Sequence, residues 1–149
     1  MAKQSGITYE QIMTDLRRKA YRPVYFLMGE EAYYIDQISD YIQDNILDES
    51  EVDFNLSILY GKDVDIDTVI NAAKRYPMMA EFQVVIVKEA QLIKDWESLS
   101  YYLAKPVKST ILCFCYKYVK PDGRRIWVQD LNKHAIGFES KKLYDNQIG

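Results

Sequence analysis

The sequence predicts an α/β domain built on a mainly parallel five-stranded sheet with helices on both faces. Three observations predict it. The apolar runs Val24–Met28, Gln83–Val87 and Thr110–Tyr118 read as strands, and an unbroken run such as the first is buried on both faces. Amphipathic stretches with helical period lie between the strands. The connections are long enough for the helical crossovers that parallel pairing needs, and such crossovers are right-handed. A chain of 149 residues, 48% of them hydrophobic, fits one domain with one filled core.

The elements follow in order. Thr8 and Gln11 form a capping-box signature with Thr8 as N-cap. Ile12, Met13, Leu16 and Ala20 recur at helical spacing. Arg17, Arg18 and Lys19 put positive charge in the last turn, and Pro23 blocks continuation. Val24–Met28 is the first strand. Beyond Gly29, Ile35, Ile38, Ile42 and Ile46 make one stripe while Asp36, Asp40 and Asp44 lie off it, an amphipathic helix. Asp48–Asp53 reads as an acidic loop. Phe54, Leu56, Ile58 and Tyr60 alternate with Asn55 and Ser57, which places the second strand at the sheet edge. Gly61 ends that strand. Asp65 or Asp67 caps a helix with Ile66, Val69, Ile70 and Ala73 inward, Lys74 and Arg75 in its last turn and Pro77 as its stop. Gln83–Val87 is the third strand. Asp95 is expected to cap a short helix through Trp96, Leu99, Tyr102 and Leu103, ended by Pro106. Thr110–Tyr118 is the fourth strand, Pro121-Asp122-Gly123 a turn, Ile126, Trp127 and Leu131 a weaker helix, and Ala135–Glu139 the fifth strand.

Composition narrows the function classes. The net charge of −3 argues against a dedicated DNA-binding domain, which carries a basic excess. Apolar runs are too short to span a bilayer, so no membrane partner is expected. Met1–Gly6 is polar, and no signal peptide is expected there. Cys113 and Cys115 stand two apart on one strand, where their side chains run parallel, a poor disulfide geometry. They read as reduced core thiols of a cytoplasmic protein. Several of the thirteen tyrosines are expected at helix–sheet or surface boundaries, where a ring is buried and its hydroxyl wet.

Gly29 has the placement of a phosphate-binding turn and the wrong chemistry. A P-loop starting there needs glycine at 34, lysine at 35 and serine or threonine at 36; the chain has Tyr34, Ile35 and Asp36. Glu30 and Glu31 occupy the positive end of the helix dipole and repel a triphosphate. The metal-holding acid of an NTPase is due at the end of the third strand, where Lys88 stands with Glu89 next. Two readings remain open from the residues: a degenerate NTPase-like domain, or a glycine turn that never held nucleotide. A working nucleotide site is opposed by both elements.

Two further stretches carry candidates. In Arg75–Phe82, the adjacent Met78 and Met79 cannot both point inward from one helix end. Flexible, polarisable methionine suits a protein-binding surface, and two such side chains in a partner's pocket gain ~1.5–3 kcal/mol each. The competing reading packs both under the sheet as core filler. Lys117, Lys120, Arg124 and Arg125 surround the Pro-Gly turn as either a phosphate or DNA contact or a solvated rim. His134 is the single histidine, and Cys113 and Cys115 offer at most two more ligands on a buried strand, so no metal site is expected. No Ser-His-Asp, Cys-His or paired-carboxylate arrangement stands out.

VYFLMGEEAYYIDQ (24–37), LYGKD (59–63) and NAAKRYPMMAEFQVVIVKEAQ (71–91) resemble the N-terminal domain of the delta subunit of bacterial DNA polymerase III, a clamp-loader subunit. In that family the first strand ends in an apolar run, Gly and an acidic or polar pair. A small-x-Pro-hydrophobic-hydrophobic turn precedes an apolar strand ending in Lys. The resemblance covers essentially the whole chain, and residues 77–91 are its most specific part. It implies an AAA+-like, P-loop-NTPase-like fold with a degenerate nucleotide site at Gly29, Tyr34, Ile35, Asp36, Lys88 and Glu89, no cofactor and no intrinsic activity. It also implies a hydrophobic wedge that enters a pocket on the ring-shaped sliding clamp, the beta subunit, and helps open it. By position the wedge is Met78 and Met79, shaped by Pro77 and Ala80 with Phe82 as neighbour. Two methionines depart from the family's usual leucine and larger apolar or aromatic residue. The lid and C-terminal collar domains of the family are expected outside this chain, and with them the contacts to other loader subunits; DNA is an expected partner within the full assembly. The alternative is a nucleotide-binding AAA+-type ATPase with an atypical site.

Overall fold

The computed structural model describes residues 7–141, so the polar opening Met1–Gly6 and the expectation about a signal peptide lie outside the described residues. The elements are α1 (Tyr9–Arg17), β1 (Val24–Gly29), α2 (Ala32–Asn45), α3 (Val52–Asn55), β2 (Leu56–Tyr60), α4 (Ile66–Ala73), β3 (Gln83–Lys88), a 3-10 turn (Ala90–Leu92), α5 (Leu99–Ala104), β4 (Thr110–Lys117), α6 (Ile126–His134) and β5 (Ile136–Ser140). The five strands form one sheet in the order β2-β3-β4-β1-β5. Every pairing is parallel.

That order and the right-handed crossover rule decide which face each helix takes. The β1-to-β2 connection travels one way along the sheet and the remaining connections travel the other. Right-handedness therefore puts α2 on the face opposite α4, α5 and α6. The core divides accordingly. One cluster joins Ile12, Leu16, Ile35, Ile38 and Ile42 to Tyr25, Leu27, Val84, Ile86, Cys113 and Cys115. The other joins Val69, Leu99, Tyr102, Trp127 and Leu131 to Phe26, Val85, Val87 and Phe114. Trp96 and Trp127 stack at 4.7 Å in the second cluster. Both cysteines are free thiols on one face, as their spacing implies.

Several boundaries differ from the sequence expectation; helix α4 ends at Ala73, so Lys74 is its C-cap and Arg75 lies beyond it rather than in its last turn. Helix α1 stops at Arg17, because Lys19 turns left-handed (φ 62°) and the Lys19 and Ala20 N–H groups bond back to Leu16 and Asp15. Arg18 and Lys19 thus lie just beyond the helix end, and Ala20 is exposed. Phe54 and Asn55 close the short helix α3 rather than open β2. Asp95 caps nothing: α5 begins at Leu99, and Trp96 is held ahead of it with its indole N–H on the Ile93 carbonyl at 3.0 Å. Tyr118 leaves β4 with φ 76°.

Tyr25 gives the core a pH dependence. Its ring is 2% exposed and its hydroxyl accepts the Arg22 N–H at 3.0 Å. Burial, opposed by that hydrogen bond, pushes the phenol up to about 12. A folded value above the unfolded one means that this contribution is intact below pH about 10 and is lost as pH rises toward 12. Tyr25→Phe is expected to cost ~1 kcal/mol at neutral pH through the lost acceptor. It should also flatten the alkaline loss, by up to about 3 kcal/mol. Urea melts at neutral and strongly alkaline pH check both.

Candidate functional site

Because the strands are parallel, the sheet has two distinct ends. Gly29, Lys88 and Lys117 close β1, β3 and β4 at the carboxyl end. The loop from α4 into β3, with Met78 and Met79, lies at the amino end. The two main candidate sites are therefore on opposite ends of the molecule.

The methionine loop is exposed at its tip and anchored at its base. Buried Gln83 turns its side-chain amide back to the end of α4, donating to the Ala72 carbonyl at 3.0 Å and the Arg75 carbonyl at 2.6 Å. The Thr110 hydroxyl donates to the Ala73 carbonyl at 2.7 Å. These groups satisfy carbonyls that a helix end otherwise leaves bare. Asn55, only 3% exposed, grips the loop from α3. Its Nδ2 donates to the Met78 carbonyl at 2.9 Å, and the Met78 N–H donates to its Oδ1 at 2.7 Å. Phe82 is half-buried, edge-on to Tyr21 at 5.4 Å, and so anchors the loop. Pro77 and Ala80 are also half-buried. Beyond them Met78 is 60% exposed and Met79 100% exposed. The core-filler reading fails for both. Met79 also has φ 55°, a left-handed conformation uncommon for a non-glycine residue and held against local preference.

The carboxyl-end crevice is built differently. Helix α2 leaves β1 on one face, and α6 leaves the neighbouring β4 on the other. Such a divergence is where open α/β sheets bind ligands. Here it holds an internal ion pair. Lys117, opposite Gly29 in register, places its ammonium 2.7 Å from Asp36 and 3.9 Å from Glu89. Burial pulls the Lys117 pKa down, but the hydrogen bond to Asp36 and the charges of Asp36 and Glu89 outweigh it, leaving it above the ordinary lysine value. Gln91 bridges the group, accepting the Lys117 backbone N–H at 3.0 Å and donating to Glu89 at 2.8 Å. The N-terminus of α2 is capped by Glu31, which accepts the Tyr33 N–H at 3.2 Å. Ile35 is a core residue and Tyr34 packs against the core, while Lys88 is half-buried at the strand end.

The basic rim does not form one free patch. Lys117 is engaged in the crevice, Lys120 pairs with Glu139 at 3.3 Å, Arg124 with Asp122 at 2.9 Å and Arg125 with Glu97 at 3.4 Å. Arg124, through its hydrogen bonds, holds the Asp122 carboxyl down to about 2. His134 is exposed at the end of α6. Among the described residues no three His, Cys, Asp or Glu side chains are grouped to hold a metal ion. No described helix is long and apolar enough to cross a membrane.

The family model for DNA polymerase III, delta subunit, matches residues 25–141. This chain belongs to the DNA polymerase III delta-subunit family. Its similarity to the Bacillus subtilis DNA polymerase III subunit delta is 28% identity over 142 residues, covering 89% of this chain and 41% of that protein. The solved structure of the Bacillus subtilis DNA clamp loader delta protein superposes with TM-score 0.82 at 28% identity, over 91% of this chain and 43% of that one. A gamma-subunit-related protein from Thermotoga maritima matches at TM-score 0.54 and 14% identity over 91% and 47%, a likeness of fold alone. The fold of this delta-family chain is thus the AAA+-like, P-loop-NTPase-like α/β architecture, and the chain spans about two fifths of the relatives' length.

Three residues important to this delta-family geometry are hidden in the sequence. Asn55 resembles an outward strand position. Gln83 begins an apolar strand, and a lone amide at a strand start is the signal it offers. Lys117 falls beside the rim in sequence, while its partners come from α2 and the end of β3.

Proposed function

We propose that this chain is the clamp-contacting domain of a bacterial DNA polymerase III delta subunit, acting through a hydrophobic wedge formed by Met78 and Met79. The observation that carries the reading is two exposed methionines, one in left-handed backbone, on a loop pinned by buried Asn55 and Gln83. Exposure wins the folded chain no burial energy; a partner's pocket provides it. The wedge binds the sliding clamp and shifts it toward an opened ring, by no more than its differential affinity for that form. Work comes from binding, not hydrolysis, so the domain has no intrinsic activity and needs no cofactor. ATP is bound by other loader subunits. The lid and collar, the subunit contacts and any approach to DNA belong to segments outside this chain, in keeping with its coverage of the relatives. Reduced thiols at Cys113 and Cys115 suit a cytoplasmic protein.

The degenerate-site reading is supported by the Lys117–Asp36–Glu89 cluster and the Glu31 cap, which fill the crevice with the protein's own charges. Mg-ATP is therefore expected to give no calorimetric heat and no thermal shift. A saturable thermal shift would restore the ATPase alternative. The function itself is tested by titrating the chain against its cognate sliding clamp: saturable binding together with faster ring opening supports it. A folded chain that leaves the clamp untouched ends it.

A further inference from the structure

Asn55 and Phe54 are both unexplained by folding alone. Asn55 is 3% exposed and spends its amide on Glu51 of its own helix and on both backbone groups of Met78, 23 residues away in sequence. A buried amide is costly unless every bond is made, and these bonds fix the residue just before the strained Met79. Phe54, directly before it, is 73% exposed on a four-residue helix too short to stand alone. Helix α3 is held by Asn55 together with Val52, which packs against the core, and the loop holds its shape through Asn55. The edge position of β2 leaves that flank of the sheet without a further strand among the described residues.

We propose that α3 is the second half of the docking surface: Asn55 is a positioning residue that presets the methionine loop, and Phe54 adds a third apolar side chain to the same partner. This rests on the reading that Met78 and Met79 enter a pocket on the sliding clamp. The occupant follows from continuity, since the backbone of Met78 is bonded to the residue after Phe54. Phe54 and the two methionines, exposed apolar side chains on α3 and on the loop bonded to it, are read as one apolar patch.

Two readouts test it: exchange of the Met78 amide proton in the free chain, and affinity for the cognate clamp. Asn55→Ala is expected to speed Met78 exchange about tenfold or more and to weaken binding on the order of tenfold. Asn55→Ser puts no carboxylate against the Glu51 and Met78 carbonyls, so it serves if the alanine variant does not fold, and it should move both readouts in the same direction. Phe54→Ala should weaken binding on the order of tenfold with Met78 exchange unchanged, a pairing a merely structural role would not give. Wild-type affinity in folded Phe54→Ala would overturn its contact, and fast Met78 exchange with wild-type affinity in Asn55→Ala would overturn the positioning role. A wild-type chain that binds no clamp overturns the wedge reading and takes this proposal with it, an outcome distinct from either variant failing alone.

Discussion

Replacing Met78 and Met79 together by alanine is expected to weaken clamp binding by about 10²–10⁴-fold while leaving the fold intact. Each side chain buried in a pocket contributes ~1.5–3 kcal/mol, and about 1.4 kcal/mol is tenfold in affinity. The free chain loses almost nothing, because Met78 is 60% exposed and Met79 fully so. Their backbone anchors, Asn55 and Gln83, remain. Met79→Gly sharpens the test. Left-handed backbone costs a non-glycine residue ~1–2 kcal/mol, against which glycine's extra unfolded freedom sets ~0.4–1 kcal/mol. Stability should hold or rise slightly while affinity falls. Calorimetric titration beside urea melts separates the two. An equal affinity in the folded double variant would keep the clamp as partner but move the contact elsewhere.

The parts of this chain legible in sequence are those governed by local periodicity. The Ile35–Ile38–Ile42 stripe and the apolar run of β3 each have one packing solution, and β2 takes the edge position read from its alternation although its residues are half-buried on both faces and Tyr60 is exposed. The Asp65 cap is equally local: its carboxylate accepts the Thr68 N–H at 2.8 Å. What stays hidden depends on partners far along the chain. Phe54 and Asn55 continue the β2 alternation, so nothing local marks them as a helix, and the Asn55 grip on Met78 joins elements with no shared pattern. The left-handed turns at Lys19, Met79, Glu89 and Tyr118 fall on residues that carry no glycine signal. Local sequence names the candidate methionines. Their exposure is a tertiary fact.

The opposite placement of the two sites bears on how the proposed contact is governed. The crevice beyond Gly29 is bridged by Lys117, Asp36 and Glu89, and Met78 and Met79 lie at the other end of the strands. The methionine loop is anchored by bonds to Asn55, Gln83 and Thr110, none of which is bonded to the Lys117 cluster. If Met78 and Met79 form the proposed clamp contact, control over it is expected as access rather than as a shape change sent from Gly29.

Gly29 itself is left with a structural task, and Gly29→Ala is expected to cost more stability than removing the Tyr25 hydroxyl or truncating either methionine. Its φ of 127° lies outside what an L side chain adopts, and an added Cβ would lie 2.0 Å from the Ser140 carbonyl oxygen and 2.7 Å from its nitrogen. Those are backbone atoms of β5, paired to β1 in register and tied by the Ser140 hydroxyl to the Glu31 carbonyl at 2.7 Å. They cannot swing aside as a flexible side-chain tip would. Relief requires β5 to part from β1, uncovering Phe138 and breaking a strand pairing. Backbone strain of ~1–3 kcal/mol adds to that loss, and a total above about 4 kcal/mol ranks with the exceptional substitutions. Gly137→Ala is the control: it lies on the same strand, and its added Cβ meets nothing within 4 Å. Denaturation of both variants should show a large loss for Gly29→Ala and a small change for Gly137→Ala. Equal losses would mean that β5 tolerates no side chain at either glycine, and that the close approach at Ser140 is not what position 29 protects.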